Sequence, residues 1–195
     1  MMTVKQMERL WETQAVVKLA GELLAARPEG VFRVELSQPL PTAGLLLVRL
    51  DELSQGFTPL ASKLTRFILS QQESDGGWGD PIVTAVCLRG LMSGGGEGTA
   101  VDQGLAYLAM LQKPEGIWPR VPIRRMPDDA SVSAFVLLQL VDQPRFHSAV
   151  RLTDAVDWFT ANQGQLDNDA KKLWKIASLR CAGRTKRPVE AWNWS

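Results

Sequence analysis

The chain has 195 residues, 45% of them apolar and 22% charged, a globular balance that excludes a disordered protein. Lys and Arg number 22 against 21 acidic residues, a net charge of +1, so a nucleic-acid partner held mainly through phosphates is not indicated. One histidine (His147) and two distant cysteines, Cys87 and Cys181, exclude most zinc sites and fit reduced thiols in a cytoplasmic protein.

The polar start, Met1 to Gln6, carries no secretory-leader pattern, and the apolar runs are too short to span a bilayer. Periodic apolar residues (Met7, Leu10, Trp11, Val17, Ala20, Leu24) predict an amphipathic outer helix over 4–26. The turn Ala26-Arg27-Pro28-Glu29-Gly30-Val31-Phe32 ends it, and Val31 to Leu36 is expected to be a connector. A more apolar inner helix begins near Pro41-Thr42-Ala43. A second outer helix is predicted over 57–73 through Leu60, Leu64, Phe67 and Ile68. It ends in Gln72-Glu73-Ser74-Asp75-Gly76-Gly77-Trp78, and the next inner helix starts at Asp80-Pro81, with Asp80 as N-cap. A third outer helix is predicted over 98–113 (Leu105, Leu108, Leu111), followed by Gln112-Lys113-Pro114-Glu115-Gly116-Ile117-Trp118. Its inner helix begins at Asp129-Ala130-Ser131. The fourth pair places an outer helix over 147–162, a worn turn ending at Gln163, and an inner helix from Asp169-Ala170. No strand is required. Residues 1–182 are expected to form one repeat domain, and 183–195 a basic, then aromatic tail with Arg184, Lys186, Arg187, Trp192 and Trp194.

The turns repeat. Gln72, Gly76 and Trp78 recur as Gln112, Gly116 and Trp118 at a constant offset of 40 residues (72 to 112, 76 to 116, 78 to 118). Each part has a physical use. The Gly admits positive φ after a helix. The Gln side chain can satisfy backbone groups at a helix end. The Trp covers the junction with the next hairpin and needs a partner for its indole N–H. The unit is an outer helix, a Gly turn with an aromatic, and an inner helix, which predicts an all-α array of hairpins.

The stretch Arg66-Phe67-Ile68-Leu69-Ser70-Gln71-Gln72 through Gly76-Gly77-Trp78-Gly79, with its second copy Gly104-Leu105-Ala106-Tyr107 through Trp118, resembles the QW-motif repeats of squalene–hopene cyclases, oxidosqualene cyclases and prenyltransferase β-subunits. The resemblance covers residues 57–143 well and 4–56 and 147–182 less well. It implies the α/α toroid of terpenoid cyclases. A closed ring of six hairpins needs roughly 240–280 residues. About four hairpins therefore imply an incomplete ring, with an apolar concave face open to a hydrophobic ligand, a partner protein or an oligomeric neighbour.

Class II cyclases of this family protonate an alkene or epoxide with the middle Asp of an Asp-x-Asp-Asp-Thr-Ala motif on an inner helix. The matching stretch is Pro127-Asp128-Asp129-Ala130-Ser131-Val132-Ser133-Ala134. Aligned through Ser133-Ala134, the acid position falls on Ser131, which cannot protonate an alkene. Aligned through the adjacent pair, Asp128 takes that position and Asp129 supports it. The plainer reading makes both residues caps and first-turn charges. Asp80, four residues before Thr84-Ala85, repeats the Asp129-to-Ser133 spacing. The zinc set of prenyltransferases is missing, and no metal or cofactor is expected. Asp167-Asn168-Asp169 is a thin match to a magnesium motif and fits a cap better. Arg120, Arg124 and Arg125 form a basic loop that suits a diphosphate or an acidic partner. The resemblance therefore implies a binding or accessory module for an isoprenoid-like or peptide ligand or a protein partner. The alternative it implies is a small class II cyclase using Asp128 and Asp129.

Overall fold

Prolines and capping oxygens set most of the helix starts. The computed structural model describes residues 38–95 and 98–185, with side chains through 181. Among these residues the helices are α1 Pro39–Glu52, α2 Pro59–Ser70, α3 Pro81–Ser93, α4 Thr99–Leu111, α5 Ala130–Leu140, α6 Pro144–Ala149, α7 Leu152–Ala161 and α8 Asn168–Thr185. No strand occurs among them, only an isolated bridge between Pro119 and Asp128. The predicted helix 4–26 with Trp11, the turn at 26–32, the connector after it, and Trp192 and Trp194 lie outside the described residues. Helix α8 runs to Thr185, past the expected start of the tail at 183.

Two kinds of helix occur, and burial tells them apart; α8, expected as a more apolar helix, buries only the stripe Ala170, Leu173, Trp174 and Ala177. Helix α2 buries one stripe, Ala61, Leu64 and Ile68, and leaves the rest to solvent. Thr58 caps it, its hydroxyl accepting the Ala61 N–H at 3.3 Å, and Pro59 occupies the first turn. Helix α3 instead buries Thr84 through Leu88 without a break, then Gly90 and Leu91. Helix α5 buries Val132 through Leu137 in the same way. Such helices have neighbours on several sides.

The chain divides into two compact units between Leu108 and Ala109, inside α4. In the first, α1 packs on α3 and on α2, and α2 touches α3. The α1–α3 contact is close because both helices present glycine. A methyl on Gly90 would lie 2.7 Å from the Gly44 carbonyl oxygen, and one on Gly44 would lie 2.8 Å from Val86. In the second unit α5 packs on α8. Its aromatic core includes Trp118 stacked on Phe146 (6.2 Å between centroids) and Phe159 stacked on Trp174 (4.6 Å).

The expected outer helix over 147–162 is in fact two, α6 and α7, broken at Val150 and Arg151. Val150 is extended, with φ −119° and ψ 162°. The break frees the Arg151 backbone for a distant partner, Gln112.

Candidate functional site

The two Gly turns share a common set of hydrogen bonds. Gln72 Nε2 donates to the carbonyls of Gly76 and Ala100, both at 2.8 Å. Gln112 Nε2 donates to Gly116 at 2.8 Å and to Arg151 at 3.2 Å. Gly76 and Gly116 have φ of +90° and +88°, a region costly to any residue with a Cβ. The backbone N–H of Glu73 donates to Gly77 at 2.9 Å, and that of Lys113 to Ile117 at 2.8 Å. The Trp78 N–H donates to Thr84 Oγ1 at 3.0 Å, and the Trp118 N–H to Ser133 Oγ at 2.8 Å. Each turn is thus tied forward to its own inner helix and across to the start of the following outer helix. The indole N–H of Trp78 also donates back to Ile68 at 2.8 Å.

The following outer helix comes close enough to explain the glycines. A methyl on Gly76 would lie 2.6 Å from the Gln103 carbonyl oxygen, and one on Gly116 only 2.2 Å from the Ala155 nitrogen. Gln103 stands three residues after Ala100, and Asp154 and Ala155 three and four after Arg151, so the contacts share a register.

The inner helices share a second device. Asp80 Oδ1 accepts the Val83 N–H at 2.8 Å, and Asp129 Oδ1 accepts the Val132 N–H at 3.0 Å. Asp167, rather than Asp169, caps α8, accepting the Ala170 N–H at 2.7 Å. Four residues after the first two caps stand the buried hydroxyls of Thr84 and Ser133, and Thr42 stands four after Gln38 in α1. Thr42 and Ser133 donate to the carbonyl four residues back, at 2.8 and 2.7 Å.

The other singled-out residues fall in the second unit. Asp128 is exposed and bridges to Pro119. The second carboxylate oxygen of Asp129 lies 4.0 Å from the Arg120 guanidinium. Ser131 lies 3.4 Å from both carboxylate oxygens of Asp167. Arg120, Arg124 and Arg125 lie on an exposed loop between Trp118 and Asp129. In the first unit, a cleft of about 290 Å³ opens among Pro39, Leu40, Pro41, Phe67, Trp78 and Val83.

Two buried groups are shifted. Burial pushes the Cys87 thiol up to about 12 from its ordinary 9.0, and the Asp80 charge adds to this. Burial, then Asp75, Asp80 and Glu73, raises the Tyr107 phenol, whose hydroxyl donates to the Gly79 carbonyl. Among the described residues no three His, Cys, Asp or Glu side chains converge as a metal site.

The periodicity did not single out Arg151 or the acceptor role of Thr84 and Ser133. Arg151 has no spacing signature, since its counterpart is Ala100. The hydroxyls did carry a signal, the repeated Asp-x-x-x-Thr/Ser-Ala pattern.

Comparison with known proteins relates part of the chain to a terpene synthase. Over 85 residues it is 35% identical to the drimenyl diphosphate synthase of Streptantibioticus cattleyicolor, a match taking in 40% of this chain and 15% of that enzyme. The chain thus matches only a small part of that relative's length. No family model and no solved structure matches it.

Proposed function

We propose that the chain is a terpenoid cyclase-like helical repeat module that binds an isoprenoid-like ligand or assists a partner, without itself protonating the ligand. The observation that carries this is the use made of the two candidate acids. A carboxyl that protonates an alkene must be kept protonated by burial and hydrogen bonding. Asp128 is exposed, and Asp129 spends one oxygen on a helix N–H and turns the other toward Arg120. Neither side chain has the enclosed setting that such an acid requires.

The cleft lined by Leu40, Pro41, Phe67 and Val83 offers apolar walls for a branched hydrocarbon chain. Farnesol titrated into the full chain tests this by calorimetry. Binding that is lost in Val83→Phe, with the helical circular dichroism unchanged, supports the assignment. Equal binding in both proteins removes the cleft, and no binding of farnesol or farnesyl diphosphate removes the isoprenoid ligand.

The kinship with drimenyl diphosphate synthase favours a second reading. Here the module belongs to a cyclase in which Asp128 or Asp129 acts as the acid. It requires one of the two carboxyls to hold a proton when the ligand is bound.

A further inference from the structure

We infer that the loop from Pro119 to Pro127 is a docking surface for an anionic lipid bilayer. The inference stands apart from the module's ligand and rests on what the loop exposes.

The loop is held at its base. The Asp129 N–H donates to the Trp118 carbonyl at 2.9 Å, Pro119 bridges to Asp128, and Trp118 is fully buried beneath it. Inside, the Ile123 N–H donates to Val121 at 2.7 Å and the Met126 N–H to Ile123 at 2.9 Å. Three prolines, Pro119, Pro122 and Pro127, restrict it further. Much of the entropy cost of ordering it is therefore met before anything binds.

Held in this way, the loop leaves its apolar side chains in water. Val121 is 36% exposed, Ile123 49% and Met126 43%. Arg120, Arg124 and Arg125 alternate with them, and no acid intervenes between Pro119 and Pro127. The acids at the base are Asp128, which is exposed, and Asp129, which faces Arg120 and the Val132 N–H. Aliphatic side chains beside guanidinium groups suit a headgroup region, where hydrocarbon lies below and phosphates lie level with the arginines. A single-stranded nucleic acid would call for stacking rings, and the loop has no aromatic residue.

The test is co-sedimentation of the full chain at low salt with phosphatidylglycerol–phosphatidylcholine vesicles and with phosphatidylcholine alone. The expected result is partition to the anionic vesicles that falls with added salt. Each arginine contributes roughly fivefold, so R120Q/R124Q/R125Q should lower partition on the order of a hundredfold. I123S/M126S should lower it several-fold. All five positions are exposed, so circular dichroism should match the parent. Absent or equal partition to the two vesicle types overturns the inference. So does binding unchanged in both variants, which would assign it elsewhere, for example to the basic tail. Displacement by inorganic pyrophosphate together with unchanged binding of I123S/M126S would also overturn it, in favour of a free-anion site.

Discussion

Gln112 and Arg151, 39 residues apart, are joined by three hydrogen bonds. The Gln112 amide donates to the Arg151 carbonyl at 3.2 Å, its oxygen accepts the Arg151 N–H at 2.8 Å, and the Arg151 guanidinium donates to the Gln112 carbonyl at 3.1 Å. The guanidinium also reaches the Lys113 carbonyl. In the first unit Ala100 holds the equivalent place and offers only its carbonyl. One turn is therefore bound more heavily than its copy.

That asymmetry predicts unequal costs. Gln112 is 1% exposed, and Gln112→Ala strands the Arg151 N–H and two carbonyls, costing about 3 kcal/mol. Gln72→Ala, at a half-buried site, should cost about 1–2 kcal/mol. Urea unfolding of the two variants measures the difference. Equal costs would mean that Arg151 adds nothing to the second turn.

Gly116→Ala should be more severe still. The positive φ alone costs roughly 1–2 kcal/mol, and the methyl would press on the backbone of Asp154 and Ala155. A loss above about 3 kcal/mol is expected. Gly164→Ala is the control, since nothing lies within 4 Å of its added methyl and a change within about 0.5 kcal/mol is expected. Thermal melts that rank the two alike would contradict the register drawn between this turn and α7.

Alkaline pH should weaken the first unit. Burial raises the Cys87 thiol from 9.0 to about 12, so folding favours the protonated thiol. Its contribution is complete below pH 9 and is lost as pH rises toward 12. Tyr107 acts in the same direction, starting above its ordinary 10.0. The urea midpoint should therefore fall between about pH 8 and about pH 10.5, and less steeply in Cys87→Ala. At neutral pH a thiol reagent should modify half-buried Cys181 before Cys87. Burial raises the Cys181 thiol as well, although a bond to its own backbone opposes the shift.

Much of this architecture was legible in the sequence. The 40-residue offset of Gln, Gly and Trp located both turns, and the largely apolar stretches after Asp80 and Asp129 marked two of the most buried helices. The break at Val150 and Arg151 left a trace that the expected single helix passed over: Leu152, Ala155 and Phe159 fall on the opposite helical face from Phe146 and Val150. The tie to the distant Gln112 is what spacing does not show. Asp167 and Asp169 were interchangeable as caps by composition, and the start of α8 at Asn168 selects the first. Asp128 and Asp129 stood as caps or as an acid pair. Exposure and the partners of each carboxylate bear on that choice, and neither can be read from spacing.

The measurement that bears most directly on the functional account is product analysis. The full chain is incubated with farnesyl diphosphate and geranylgeranyl diphosphate, and the products are read by mass spectrometry. Unchanged prenyl chains are expected from the parent and from Asp128→Asn and Asp129→Asn alike. A cyclised product made by the parent and lost in either variant would contradict this and make that aspartate the acid.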